Sequence, residues 1–224
     1  MNDELARDRV ARAAKHAALS DPARLHIVDL LVSGDLSSGE LQAALGISSN
    51  LLAHHLNVLE RAGLIARHRS EADRRRNYVR LASDGGDALA PTPAGGAARV
   101  VFVCTANSAR SQLAAALWER ASRVPVASAG THPADRVDPG AIEVARRRGL
   151  DFTPIAPVQL ASVRLDGDLI ITVCDSAHEE LDGADDLHWS VPDPVSTGTQ
   201  DAFDGAFDDL VRRIDDLAPR IAAG

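Results

Sequence analysis

The chain has 224 residues, 45% of them hydrophobic and 3% aromatic, with a formal net charge of -8. That composition fits one or two globular domains; no apolar run approaches the roughly 20 residues that span a bilayer, and two cysteines cannot build a disulfide framework. The charged start, MNDELARDRV, is unlike a secretory signal, so a cytoplasmic protein without a membrane is expected, its thiols kept reduced or used in redox chemistry.

The charge is divided unevenly. Residues 1–81 hold 12 Lys and Arg against 10 Asp and Glu, whereas residues 99–224 hold 12 against 20. Between the halves lies ASDGGDALAPTPAGGA, residues 82–97, rich in Gly, Ala and Pro and without an apolar period. It reads as a linker between a first domain over 1–81 and a second over 98–224.

The first domain reads as short helices followed by a hairpin. Residues 5–19 carry a helical period. SDPARLHIVDLL then has Ser20 or Asp21 as a cap and Pro22 in the first turn. SGELQAAL is a third helix, with Ser38 as its cap. GISSNLLAHHLNVLERAGLI gives a turn at Gly46, a cap at Ser48, a helix through Arg61 and a stop at Gly63. LIARHRSEADRRRNYVRL alternates apolar and polar residues on both sides of a charged loop, as a two-stranded wing does. Residues 61–80 hold seven arginines and only two acids, Glu71 and Asp73.

The stretch GELQAALGISSNLLAHHLNVLERAGLIARHRSEADRRRNYVRL resembles the DNA-binding core of the ArsR family of bacterial repressors, over about residues 15–81. The resemblance implies a winged helix-turn-helix domain bound to double-stranded DNA. The helix from Ser48 would enter the major groove, with Ser48, Ser49, Asn50 and His54 facing base edges. Arg67, Arg69, Arg74, Arg75 and Arg76 would neutralise phosphates. A solvated arginine-rich loop is the plainer alternative. Soft-metal sensors of that family use cysteine thiolates in this domain, and residues 1–103 contain none. Adjacent His54 and His55 lie about 100° apart on a helix and do not face one ion together; no metal site is expected. The family forms homodimers through its first and last helices; the linker stands where the last would be.

In the second domain ARVVFV, residues 98–103, is a β-branched run suited to a buried parallel strand, and SQLAAALWERAS, from Ser111, is a strong helix former. Between them, CTANSARS places Cys104, Arg110 and Ser111 in a C-x5-R-S loop at a helix start. Backbone N–H groups of Thr105, Ala106, Asn107, Ser108, Ala109 and Arg110 can converge there on an oxyanion, and a thiolate is stabilised in the same loop. Cys104 would attack the central atom of a tetrahedral oxyanion. Arg110 would clamp two of its oxygens. Ser111 would hydrogen-bond the thiolate, and Asn107 would hold the loop's strained backbone. An inert strand-end cysteine is the alternative. Further strands are expected near 124–128 and 168–173, with helices near 111–122, 138–148 and 201–217.

VFVCTANSARSQLAAAL, ASAGTHP at 127–133 and HWSVPDPVS at 188–196 together resemble the low-molecular-weight protein tyrosine phosphatase fold, in particular its arsenate reductase branch. The resemblance covers about residues 99–222. It implies an α/β flavodoxin-like domain with a four-stranded parallel sheet, and Asp193, before Pro194, as general acid. Phosphatases of the family carry proline after the Arg-Ser pair and tyrosines after the Asp-Pro; here stand Gln112 and Val195-Ser196, and Tyr78 of the first half is the only tyrosine. A small inorganic oxyanion suits so aromatic-poor a site, so the expected activity is thiol-dependent arsenate reduction joined to transcription regulation in arsenical resistance. A phosphatase acting on phosphate esters and a repressor with a non-catalytic oxyanion sensor are the alternatives.

Cys174, ending DLIITVC, occupies the place of the first resolving cysteine of thioredoxin-linked reductases; the second place is Leu181. Either Cys174 resolves the adduct or it is structural, and the reductant is a redoxin or low-molecular-weight thiol: mycothiol, glutathione or the thioredoxin system. No bound cofactor is expected. QLAAAL lacks the glutamate with which some relatives hold potassium, and His132, His178 and His188 show no ligand spacing. Trp189 is expected to pack rather than react.

Overall fold

The computed structural model describes residues 2–82 and 95–223. Two compact units divide the chain, Met1–Pro91 and Thr92–Gly224. Most of the stretch read as a linker lies outside the described residues. Its end, Gly95–Ala97, does not: it forms a strand. Among the described residues no helix is long and apolar enough to cross a membrane.

The first unit runs α1 (Asn2–Leu19), α2 (Pro22–Leu31), β1 (Leu36–Ser37), α3 (Ser38–Leu45), α4 (Ser49–Arg61), β2 (Ile65–Arg69) and β3 (Asn77–Leu81). Asp21 caps α2 by accepting from the Ala23 and Arg24 amides. The cap of α3 is Ser37, one residue before the expected Ser38. Its hydroxyl accepts from the Glu40 amide while the Glu40 carboxylate accepts from the Ser37 amide, a reciprocal pair that Ser38 cannot make with Glu40. Gly46 and Gly63 take the left-handed conformations of the turn between α3 and α4 and of the stop after α4. β2 and β3 pair antiparallel from Ile65↔Leu81 to Arg69↔Asn77, with β1 on the free side of β3. Ile27, Leu41, Leu56, Leu59, Leu64 and Val79 close the core beneath this wing. The architecture is a winged helix-turn-helix.

The second unit comprises β4 (Gly95–Ala97), β5 (Arg99–Cys104), α5 (Arg110–Ala121), β6 (Val126–Gly130), α6 (Pro139–Arg147), α7 (Leu160–Val163), β7 (Asp168–Thr172), α8 (Asp175–Leu181), β8 (Leu187–His188), α9 (Pro194–Thr197), α10 (Gln200–Leu217) and β9 (Ile221–Ala223). A four-stranded parallel sheet has the order β6-β5-β7-β8. β5 is central and buried on both faces, which explains its unbroken Val-Val-Phe-Val run. Phe102 packs on Trp118 and Trp189 with ring centroids 5.9 and 5.6 Å apart, so Trp189 is core. Arg99 and Asp168 form a two-pronged ion pair, 2.9 and 2.6 Å, that ties the start of β5 to the start of β7. β4 pairs in parallel with β9, so the first and last strands of the unit lie side by side.

Candidate functional site

Parallel strands bring their carboxyl ends to one edge, and the crevice there is where such sheets bind ligands. β5 ends at Cys104 and β7 is followed by Cys174, on neighbouring strands. The loop 104–110 then turns into α5. Its turn rests on Asn107, fully buried and held at φ 48°, a conformation asparagine tolerates better than most residues. Gly130 makes room for that turn: a Cβ on it would lie 2.6 Å from the Thr105 carbonyl oxygen and 3.1 Å from the Asn107 nitrogen.

The hydrogen bonds around Cys104 have a direction. The Asn107 amide donates to Cys104 Sγ at 3.2 Å. Asn107 Nδ2 donates to Ser111 Oγ (2.9 Å) and to Ser128 Oγ (3.0 Å), and Asn107 Oδ1 accepts from the Val158 amide (3.0 Å). Because the Ser111 oxygen already accepts from Asn107, its own hydrogen is free to point at Cys104 Sγ, 3.1 Å away. Two donors thus face the sulfur. No side-chain cap hydrogen bond is made at the start of α5, whose first residue is Arg110; helix starts are places where backbone N–H groups and the helix dipole suit an anion.

Arg110 reaches from α5 to the loop after β8. Its Nη1 donates to the Val191 carbonyl (2.9 Å) and its Nη2 pairs with Asp193 Oδ1 at 3.0 Å. Asp193 also caps α9. Cys104, Asn107 and Ser111 therefore form one hydrogen-bonded cluster and Arg110 with Asp193 an ion pair, and Ser108 and Ala109 are buried in the same loop. Cys174 is 2% exposed, with Sγ 3.5 Å from the hydroxyl of Thr105, and burial pushes its thiol above the usual range. It adjoins the loop as an interior group.

Three features escaped the sequence. Gln112 is buried and bridges the loop to Ile155. Asp175, the first residue of α8, accepts from Ser190 and lies 3.2 Å from His188 Nε2, anchoring the segment that leads to Asp193. His178, Asp185 and His188 offer ligand-type atoms all within 4.8 Å of one another, although their spacing in the chain shows nothing of the kind. The His178 and His188 rings stack 4.2 Å apart at 11°, so their in-plane lone pairs run side by side instead of meeting at one point. The cluster is hydrogen-bonded instead: His178 Nδ1 to Asp185 (2.7 Å), and Thr172 Oγ1 to both Asp185 (2.6 Å) and His188 Nδ1 (2.9 Å). His132 is exposed and pairs with Glu180 at 3.0 Å.

In the first unit, Ser48, Ser49, Asn50 and His54 are all exposed at the start of α4, Asn50 and His54 one turn apart on one face. His55 is buried. Arg67, Arg69, Arg74, Arg75 and Arg76 are exposed on the wing. Two of them carry internal partners: Arg67 donates to Glu60 (3.1 Å) and Asn57 (2.7 Å) of α4, and Arg75 forks onto Asp73 at 3.0 Å. Arg67 thereby fixes the wing against the helix and holds the Glu60 carboxyl below its usual range.

Each half of the chain is similar to known proteins. Residues 99–223 match the family model described as low molecular weight phosphotyrosine protein phosphatase, and residues 19–68 match a helix-turn-helix domain model. A Halobacterium salinarum protein named "Putative arsenate reductase" is 29% identical over 125 residues, 52% of this chain and 87% of that protein. The transcriptional repressor SdpR of Bacillus subtilis is 44% identical over 52 residues, 23% of this chain and 58% of the repressor. A crystal structure of arsenate reductase from Archaeoglobus fulgidus is 27% identical, covering 54% of this chain and 98% of that one, with a TM-score of 0.45.

Proposed function

The chain belongs, through residues 99–223, to the low molecular weight phosphotyrosine protein phosphatase family, and from that premise we propose that it is a thiol-dependent arsenate reductase joined to a DNA-binding regulator of arsenical resistance. The observation that carries this reading is the doubly donated sulfur of Cys104 at the uncapped start of α5, with Arg110 and Asp193 opposite. The likeness to the protein named as an arsenate reductase supports it. So does the aromatic-poor site: Gln112 and Val195 stand where a phosphatase of this family would wall in an aromatic ring, and Tyr78 is buried in the other unit.

The Cys104 thiolate attacks arsenate at arsenic, and one oxygen leaves as water after Asp193 gives it a proton. Amides of residues 105–110 and the Arg110 guanidinium hold the remaining oxygens. Release of arsenite requires a second sulfur to form a disulfide, its two electrons passing to arsenic. Either Cys174 attacks the arsenic-bound sulfur of Cys104 and an external thiol reduces their disulfide, or an external thiol attacks that sulfur, releasing arsenite and leaving a mixed disulfide on Cys104 that a second thiol reduces. We favour the external thiol, because Cys174 is buried with its thiol pushed above the usual range. Mycothiol, glutathione and the thioredoxin system are the donors to compare, all of the reducing cytoplasm. The first unit binds duplex DNA through the start of α4 and the arginines of the wing, as a monomer or a homodimer.

The test is arsenite formation from arsenate by the purified protein with each donor, using wild type, Cys104→Ser and Cys174→Ser. Turnover lost in Cys104→Ser and kept in Cys174→Ser is expected. Cleavage of an aryl phosphate without arsenate turnover would make the domain a phosphatase; silence in both would leave a sensor.

A further inference from the structure

In the sequence Gln112 stands out only as a residue that is not proline. In the structure its carboxamide is 3% exposed and makes three hydrogen bonds. Nε2 donates to the Asn107 carbonyl (2.8 Å) and to the Ile155 carbonyl (2.8 Å), while Oε1 accepts from the Ile155 amide (3.2 Å). One side chain therefore joins the residue at the apex of the Cys104 loop to a segment 43 positions away. Three residues along, the Val158 amide donates to Asn107 Oδ1. Asn107 is thus gripped at its carbonyl by Gln112 and at its side chain by Val158, Ser111 and Ser128.

We propose that Gln112 is a positioning residue: its amide locks residues 155–158 onto the Cys104 loop and holds Asn107 by its carbonyl, so that the residue whose own N–H points at the sulfur is fixed from its other side. Proline at this position, as in the phosphatases, has neither the donor nor the acceptor. Positioning and folding are separable here, because Gln112 also lines an open cleft of about 470 Å³, together with Ser128 and Ile155. Water entering from that cleft can satisfy the Asn107 and Ile155 carbonyls when the amide is removed, so the fold survives. A mobile water does not hold the loop at one geometry, and misplacement of about an ångström is enough to slow a reaction steeply.

The inference rests on the reading of Cys104 as an oxyanion-site nucleophile, and the test separates the two. Alkylation of Cys104 by iodoacetamide is followed across pH in the full chain carrying Cys174→Ser, with and without arsenate, for Gln112, Gln112→Met and Ile155→Ala. Methionine keeps the length and loses every hydrogen bond; Ile155→Ala keeps the main-chain partners and serves as the control. Arsenate is expected to slow alkylation in the Gln112 protein and in Ile155→Ala. In Gln112→Met its half-protective concentration is expected to rise about tenfold, the loss of roughly one hydrogen bond's worth of fixation, with an altered pH profile of alkylation in a chain that still unfolds cooperatively. Equal protection and the same pH profile in Gln112→Met would overturn the role of Gln112 alone. No protection by arsenate even with Gln112 in place would overturn the oxyanion-site reading and the inference with it. If Gln112→Met unfolds, the comparison passes to Gln112→Glu, which keeps an acceptor for the Ile155 amide and sets a carboxylate against two carbonyls; protection equal to that with Gln112 would again refute the clamp.

Discussion

Replacing Asn107 dissects the loop, because its backbone and its side chain do different work. The side chain makes three hydrogen bonds, at 2.9, 3.0 and 3.0 Å, inside a fully buried site. At about 1 kcal/mol each, their loss costs about 3 kcal/mol, and this applies equally to Ala and Gly. The backbone sits at φ 48°, where Ala is worse than Gly by about 1 kcal/mol. Asn107→Ala is therefore expected to lose about 4 kcal/mol and Asn107→Gly about 3 kcal/mol, a large share of the 5–15 kcal/mol or so of a typical domain. Urea unfolding followed by tryptophan fluorescence reads this unit alone, since Trp118 and Trp189 are the only tryptophans of the chain. Equal midpoints for Ala and Gly would refute the backbone argument. Midpoints within about 0.5 kcal/mol of the parent protein would refute the claim that Asn107 ties the loop together.

Three further outcomes are expected. Gly130→Ala should lower turnover at least about tenfold while leaving the two-tryptophan core folded, because the new methyl meets the Thr105 carbonyl at 2.6 Å and must push the loop aside; kinetics with parallel near-ultraviolet circular dichroism check this. Asp168→Asn should cost about 2 kcal/mol by removing the carboxylate that Arg99 grips with two bonds. Arg99 holds the Asp168 carboxyl below its usual range, so the stabilisation is complete above about pH 4 and is lost as pH falls through the folded-state value; the variant should lack that part of the acid-side decline in urea midpoints. In the wing, Arg76→Ala should weaken DNA binding uniformly across sequences and reduce the salt slope of log K by about 0.9, whereas Arg67→Ala should also lower the thermal stability of the first unit, because Arg67 joins β2 to α4. Fluorescence anisotropy at several salt concentrations distinguishes them.

The elements that could be read from the chain are those whose cause is local. β5 announces itself by four consecutive β-branched or aromatic residues before Cys104, and Gly46 and Ser48 mark the turn into α4 by chemistry confined to a few neighbours. The cap of α3 is a local feature misread by one residue, since Ser37 has Glu40 three positions on and Ser38 does not. Other features depend on remote partners. Gly95–Ala97 carries no strand signature and pairs because Ile221–Ala223 lies beside it. β8 is two residues long and exists only against β7, and α8 is a seven-residue helix without a distinctive pattern. The loop motif was legible as a nucleophile at a strand-to-helix turn, but the hydrogen bonds that orient it come from Ser128, Ile155 and Val158, which no spacing rule connects to Cys104.

The contact between Arg110 and Asp193 has a consequence for selectivity. The guanidinium has a counter-ion 3.0 Å away, so an anion bound as proposed above would not meet a bare positive charge. On the proposed function an oxyanion would compete there with a tethered carboxylate, exchanging one negative partner for another. An anion that offers charge alone gains little from that exchange, whereas a tetrahedral one that also fits the ring of loop amides gains the difference. On that reading the internal competitor would act as a threshold, setting how much shape an anion must bring before the site accepts it.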